Sequence, residues 1–319
     1  MAHEDRPMTR RAALTGAAAL LGAATVAPRA FAQAPKVFLD YDQAALDRAY
    51  DQRHWAPNMQ PVIKRYAQAS EAVRARLGPP KTFAYGPGAV ETLDVFATSR
   101  PNAPVMVFIH GGAWRVGKAK DAAYPAETFV RAGAHYVAPD FATVGEVGLD
   151  GMVAQVRRAV AWVAKNAASF GGDPGRVYVS GHSSGGHLAG CVLVTDWKEF
   201  GLPADTLKGG LTISGMFDLK AVRLSARSSY VKFDDRIEHE HSSQRHLARL
   251  GCPVSVAHGD LESPEFQRQS REWAEALRQA GRLDRLVLAR NYNHFEIVET
   301  LANPYGLLGR AALEQMKLV

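Results

Sequence analysis

The chain has 319 residues, 47% of them hydrophobic and 22% charged, which is an ordinary globular composition with enough length to bury a sizeable core. Its formal net charge is +6, but the basic residues are scattered among acidic ones, and no lysine- and arginine-rich run or zinc-finger motif occurs. The sequence therefore predicts a solvated basic surface and argues against nucleic acid as a partner.

Residues 1–32 predict an export signal. Arg10 and Arg11 precede an uncharged run of 16 residues rich in alanine and glycine, and the sequence AFA at 30–32 supplies a small-x-small cleavage site. The run is short and weakly hydrophobic for a membrane span, which needs about 20 residues. Paired arginines are typical of twin-arginine export. We therefore expect a periplasmic or secreted protein without stable membrane insertion, in which residues 33–319 form a single catalytic domain.

The segment that follows the signal is predicted to be helical. Residues 36–77 show amphipathic spacing in two stretches, and the sequence APNMQP at 56–61 separates them. Residues 78–98 then predict two strands around a glycine- and proline-rich turn.

Continuous apolar runs alternate with amphipathic helices over the rest of the chain. The runs lie at 104–110, 134–141, 176–181, 209–215, 253–259 and 285–291, and the longest helices between them at 150–170 and 263–281. Apolar runs without polar alternation are typical of strands that are buried on both faces. Strands that alternate with helices predict an α/β fold with a mostly parallel central sheet flanked by helices. Ligands of such sheets bind beyond the carboxyl ends of the strands, so residues just after each run matter most.

A G-x-S-x-G sequence follows the run at 176–181 and leads into a helix. It reads Gly181-His182-Ser183-Ser184-Gly185. Between a strand and a helix this pattern predicts a nucleophile elbow, a turn so tight that it needs small residues on both sides of a strained serine. Ser183 is therefore the candidate nucleophile, and Ser184 supplies a backbone N–H.

The sequence HGGAW at 110–114 follows the first run of the parallel sheet. Glycines at this place let main-chain N–H groups turn toward a developing oxyanion, which a side chain would obstruct. We predict an oxyanion hole formed by the backbone N–H groups of Gly112, Ala113 and Ser184.

The base and the acid are expected later in the chain, because folds with a nucleophile elbow of this kind carry their triad in the order serine, acid, histidine. His294 in NYNHFEIV is the candidate base, whereas His258 precedes both candidate acids, Asp260 and Glu262. In hydrolases of this kind the acid commonly stands three residues beyond a glycine that ends the penultimate strand. That offset from Gly259 favours Glu262 over Asp260 as the acid that orients the imidazole.

Other chemistry-bearing residues give weaker signals. Three histidines and two glutamates lie close together in RIEHEHSSQRH and could bind zinc, namely His239, His241, His246, Glu238 and Glu240. Without a fixed ligand spacing on a helix we interpret this stretch as a polar loop and expect no metal. No P-loop or dinucleotide fingerprint occurs, so no cofactor is expected. Cys191 and Cys252 are predicted to be buried, inert thiols.

Aromatic side chains are candidates for lining a substrate pocket. One interpretation places three of them, Trp114, Phe217 and Trp55, in the wall of the pocket. The other places them in the packed hydrophobic core. The sequence leaves both open.

Taken together, the motifs resemble those of the kynurenine formamidase branch of the α/β-hydrolases, which adjoins the hormone-sensitive-lipase-like esterases. The resemblance covers residues 38–318 and is carried by YGPGAVETLDVF, HGGAW, GHSSGGHL, ESPEFQRQS and NHFEIV. It implies an α/β-hydrolase fold, a triad of Ser183, Glu262 and His294, and N-terminal helices that lie over the pocket. The family carries aspartate in a DSPEF context where this chain has Glu262.

These observations predict a serine hydrolase, a monomer or homodimer, that cleaves small carboxylic esters through an acyl-enzyme. The alternative is an arylformamidase that acts on N-formylkynurenine, but tryptophan breakdown occurs inside cells and this chain carries a predicted export signal. A binding protein on the same fold is a further possibility. All three triad positions are filled, which favours an enzyme of small-molecule substrates.

Overall fold

The computed structural model describes residues 34–319, and the predicted export signal lies outside the described residues. Residues 35–319 form one compact unit. The strands are β1 (Lys36–Phe38), β2 (Tyr41–Asp42), β3 (Lys81–Ala84), β4 (Thr92–Phe96), β5 (Ala103–Ile109), β6 (His135–Pro139), β7 (Gly172–His182), β8 (Leu207–Ile213), β9 (Val254–Gly259) and β10 (Leu283–Ala289).

Eight of these strands form one sheet in the order β10-β9-β8-β7-β5-β6-β4-β3. The six strands β5 to β10 pair in parallel, whereas β4 pairs antiparallel with β6 and β3 antiparallel with β4. The predicted mostly parallel sheet and the hairpin before it are confirmed. The register aligns Ile109 with Gly181 and Gly181 with Thr212, so the carboxyl ends of β5, β7 and β8 meet at one edge.

Helices cover both faces of the sheet, and the core lies between them and the strands. The α-helices of the described residues are α1 (Gln43–Ala49), α2 (Met59–Leu77), α3 (Ala126–Ala132), α4 (Val144–Asn166), α5 (Ser184–Leu193), α6 (Lys220–Leu224), α7 (Asp235–Glu240), α8 (Pro264–Gln279), α9 (Glu296–Glu299) and α10 (Leu307–Gln315). No helix among residues 34–319 combines the length and apolarity that a membrane crossing requires.

The prediction of helix is wrong for residues 50–55, which form only the short 3₁₀ helix Gln52–His54 with turns beside it, and for residues 36–42. Residues 36–42 form the antiparallel pair β1–β2, and Leu39 turns the chain with a positive φ of 47°. Asp42 then has an extended backbone, and its carboxylate accepts the N–H of Ala45, which makes it the N-cap of α1. An α-helix begins only after its N-cap, so the residues before Asp42 are not helical despite their amphipathic spacing.

The two cysteines lie in the core, as expected. Cys191 and Cys252 are both buried and unpaired with each other. Burial raises the pKa of each thiol to about 12, because the thiolate loses its hydration. Neither group is a nucleophile at neutral pH, since only the thiolate reacts.

Candidate active site

Ser183 lies at the sharp turn between β7 and α5. Its φ of 59° and ψ of −123° are unusual for a residue with a side chain. The neighbouring glycines make this turn possible. A Cβ on Gly181 would lie 2.1 Å from the carbonyl oxygen of Gly185, and one on Gly185 would lie 2.1 Å from that of Ile109. The strand–turn–helix context that the G-x-S-x-G pattern requires is therefore present.

The structure brings together the three predicted triad residues. The Oγ of Ser183 lies 2.8 Å from Nε2 of His294, and the Nδ1 of His294 lies 2.8 Å from Oε2 of Glu262. Ser183 is 8% exposed, His294 2% and Glu262 1%, so only the serine end of this chain of hydrogen bonds is open to solvent. Water exclusion strengthens both hydrogen bonds, because the local dielectric is low.

Glu262, and not Asp260, is the carboxylate that contacts the histidine. Its Oε1 accepts the backbone N–H of Gly259 and the hydroxyl of Ser214, each at 2.6 Å, which leaves Oε2 for the imidazole. Asp260 instead accepts the backbone N–H of Asn291 at 2.7 Å and stabilises the turn after β10. The offset of three residues from the glycine works because Glu262 folds back onto that glycine's N–H.

The loop after β5 lies against the elbow. Gly112 has a φ of 127°, and a Cβ there would lie 1.9 Å from the carbonyl oxygen of Val116. A Cβ on Gly111 would lie 3.1 Å from the Cβ of Ser183. Both glycines of HGGAW are therefore needed for the loop to turn tightly and to approach the serine.

The predicted oxyanion donors are available for a ligand. Within residues 34–319, the backbone N–H groups of Gly112 and Ala113 have no hydrogen-bond acceptor. Ser184 is the first residue of α5, a position whose N–H has no partner inside the helix. Three N–H donors thus remain free beside Ser183.

Two residues that support the site were not singled out from the sequence. Ser214 follows β8 with a φ of 49° and hydrogen-bonds Glu262, so the strand-end rule could have identified it. His182 lies next to the serine, and its Nε2 donates to the backbone carbonyl of His294 at 2.7 Å. Burial, and then the nearby His294, hold the pKa of His182 well below its usual range. A neutral His182 therefore anchors the loop that carries His294.

The aromatic residues favour core packing over pocket lining. Trp114 is 2% exposed, and its indole N–H donates to Nδ1 of His187 at 3.2 Å. Burial lowers the pKa of His187 to about 3, so its imidazole is neutral and can accept this bond. Phe217 is fully buried and stacks on Trp273, with ring centroids 5.0 Å apart. Trp55 is half-buried on the N-terminal segment.

The segment from α1 to the start of α2 contacts the residues next to the triad. Gln52 donates to the hydroxyl of Ser263, which directly follows Glu262. Asn58 accepts from Asn293, which directly precedes His294, and donates to Glu296 at 2.6 Å. The N-terminal segment therefore holds the loops that carry Glu262 and His294 together.

The histidines after α6 do not converge on one point. His246 hydrogen-bonds the carbonyl of His239, whereas His241 pairs with Asp150 at 2.6 Å. The guanidinium of Arg236 also binds Asp150 at 2.6 Å and supplies the positive charge there. Of the five residues considered as zinc ligands, Glu240 and His241 lie together with Asp150, each with one ligand atom within 4.8 Å of the others, and the stretch forms a short helix and a loop.

The chain is similar in sequence to a kynurenine formamidase and to esterases. The BD-FAE family model matches residues 93–212. The chain is 30% identical to a kynurenine formamidase of Danio rerio over 284 residues, which is 85% of this chain and 95% of that protein. It is 29% identical to the esterase LipQ of Mycobacterium tuberculosis over 225 residues, which is 62% of this chain and 52% of that protein.

Several solved structures, among them a thioesterase and an esterase, have a similar fold. A putative thioesterase from Silicibacter sp. superposes with a TM-score of 0.72 and 26% identity, covering 82% of this chain and 95% of that one. The esterase LipW of Mycobacterium marinum gives a TM-score of 0.66 and 18% identity, covering 84% and 90%, and shows the fold alone.

Proposed function

Because this chain belongs to the kynurenine formamidase family of α/β-hydrolases, and is thus a hydrolase that acts on esters or formamides, we propose that it cleaves small carboxylic esters through a Ser-His-Glu triad. The observation that carries the proposal is the continuous hydrogen-bond chain from Ser183 through His294 to Glu262. It is the arrangement that nucleophilic acyl transfer needs.

In the first half-reaction Ser183 Oγ attacks the ester carbonyl carbon while His294 Nε2 takes the hydroxyl proton. The imidazolium that forms is stabilised by Glu262, whose Oε2 already holds the Nδ1 proton. The negative charge on the carbonyl oxygen meets the N–H groups of Gly112, Ala113 and Ser184. Loss of one such donor typically costs about 10²–10³ in rate.

The first half-reaction ends when the tetrahedral intermediate collapses and His294 gives its proton to the leaving alcohol or phenol. The carbonyl carbon stays bonded to Ser183 Oγ as an acyl-enzyme. His294 then deprotonates a water molecule that attacks the acyl carbon, and the carboxylic acid leaves as Ser183 regains its proton. Esters react more readily than amides, because an alkoxide or phenoxide leaves more easily than an amine.

Arylformamidase activity is the second candidate. It is favoured by the relatives at 30% and 29% identity, both named kynurenine formamidase. The predicted export signal favours the ester, since an exported enzyme does not meet the intermediates of intracellular tryptophan breakdown.

We expect the purified protein to hydrolyse p-nitrophenyl acetate and butyrate with a higher kcat/KM than N-formylkynurenine. The measurement compares kcat/KM for the three compounds under one set of conditions. A kcat/KM for N-formylkynurenine that exceeds the ester values by orders of magnitude would instead establish the formamidase. If none of the three compounds reacts, the small-molecule hydrolase proposal itself is wrong.

A further inference from the structure

We propose that Arg227 and Arg115 form an anion-recognition site beside the oxyanion loop, and that the preferred substrates carry a carboxylate besides the scissile bond. The proposal rests on the proposed hydrolase function and names the substrate class of the same site. It starts from an arginine that is almost fully buried without a carboxylate partner.

Arg227 is 8% exposed, and within residues 34–319 no carboxylate lies in salt-bridge range of its guanidinium. One N–H donates to the hydroxyl of Tyr230 at 2.9 Å and another to the backbone carbonyl of Tyr50 at 3.0 Å. A guanidinium has five N–H donors, so three find no acceptor in the described part of the chain, the buried Nε among them. Buried charges are ordinarily paired, and this one is not.

The guanidinium of Arg227 lies near Trp114 and Tyr50, which connect it to the predicted oxyanion loop and, through Phe266, to His294. Its carbon is 5.6 Å from the ring centre of Trp114, which follows the oxyanion donor Ala113. It is 5.9 Å from the ring centre of Tyr50. Tyr50 packs on Phe266. The ring of Phe266 in turn contacts the imidazole of His294, the predicted base, edge to face, with ring centroids 4.7 Å apart. Such cation–π contacts offset only part of the cost of burying the charge.

A second cation lies at the same place. Arg115 follows Trp114 in the oxyanion loop, is exposed, and holds its guanidinium carbon 4.8 Å from the ring centre of Tyr230. It too forms no ion pair within residues 34–319. Tyr230 therefore carries one arginine on its hydroxyl and one over its ring. Two unneutralised cations attract and orient an anion, and a guanidinium fork matches a carboxylate.

The test compares pairs of esters of similar size in which one member carries a carboxylate and the other is neutral. On the leaving-group side the pair is 3-acetoxybenzoate and 3-acetoxybenzamide, and on the acyl side it is the phenyl monoester of adipic acid and phenyl hexanoate. In the wild type we expect a higher kcat/KM for the charged member of at least one pair, by on the order of 10- to 100-fold. The responding pair identifies which side of the substrate carries the anion.

Arg227→Met removes the charge and keeps the volume. We expect it to abolish the preference and to leave kcat/KM for the neutral ester within about threefold of wild type, because apolar replacement of a buried charge is well tolerated. Arg115→Gln should reduce the preference less and make it less sensitive to salt, because this charge is exposed. Arg157→Met is the matched control, since Arg157 is also partly buried with an unpartnered Nε, and within residues 34–319 its only hydrogen bond is to the backbone carbonyl of Cys191. It should keep the preference.

A wild-type ratio near one for both pairs, with the neutral esters still hydrolysed, would overturn this proposal and leave the proposed function intact. Absence of all hydrolysis would instead overturn the proposed function. If Arg227→Met does not fold, inhibition of the wild type decides the question. We expect 3-hydroxybenzoate to inhibit neutral-ester hydrolysis at lower concentration than 3-hydroxybenzamide, and equal inhibition would contradict the proposal.

Discussion

Replacing Ser183 with alanine is expected to lower kcat for p-nitrophenyl acetate by on the order of 10⁶-fold, because removal of the nucleophile of a triad costs about as much as removal of the whole triad. Folding should be unaffected, because the substitution removes only the Oγ and its hydrogen bond to His294. That hydrogen bond lies at the solvent-accessible end of the series of hydrogen bonds from Ser183 to Glu262. The measurement is kcat at saturating ester, with the thermal unfolding midpoint as the check on folding.

Ser184→Ala is the matched control for this variant. Ser184 is the next residue and is buried, but the proposed mechanism uses only its backbone N–H, which alanine keeps. We expect its kcat to stay within about tenfold of wild type. Residual activity of a few per cent in Ser183→Ala, or a larger loss in Ser184→Ala, would contradict the assignment of Ser183 as the nucleophile.

Glu262→Gln is expected to lower kcat by about 10⁴-fold with little change in structure. The glutamine oxygen can still accept from Gly259 and Ser214, as Oε1 of the glutamate does. Its NH₂ then faces Nδ1 of His294 and donates to it, which drives the imidazole proton to Nε2. In that tautomer Nε2 cannot take the proton of Ser183, so the base is disabled while the geometry is kept.

Asp260→Asn is the control for the acid, two residues away in the same loop. Asp260 contacts the turn at Asn291 and not the imidazole, so kcat should change by less than about tenfold. If Glu262→Gln retains full activity while Asp260→Asn loses it, the acid is Asp260 and the loop rearranges on substrate binding.

Most strands and helices of the fold could be predicted from local sequence patterns, because each has its own hydrophobic pattern in the sequence. The apolar runs predict where β5 to β10 lie, and nearly every residue of β5, β6, β8 and β9 is buried, as such runs imply. The edge strand β10 instead exposes every second residue. The helix predicted for residues 36–42 is absent because Asp42 caps α1, and amphipathic spacing does not indicate where a cap stands.

The three residues that hydrogen-bond to one another in the candidate site could be predicted because tight turns restrict which residues fit. Gly181 and Gly185 lie two positions before and after Ser183, and the N–H of Gly259 holds Glu262 through a single hydrogen bond. Arg227 could not be found this way. It comes close to Trp114 and Tyr50 only through the tertiary fold, and nothing in the neighbouring sequence indicates that its charge is buried and unpaired.

The central claim is that Ser183 forms a covalent intermediate, and trapping that intermediate tests it most directly. The protein is incubated with an alkyl fluorophosphonate, whose phosphorus is attacked by an activated serine, and the adduct is located by peptide mass spectrometry. We predict one phosphonyl group per chain, attached to Ser183, and no labelling of Glu262→Gln on the same time scale. Labelling at another serine, or ester turnover that persists in a chain without any adduct, would contradict the mechanism.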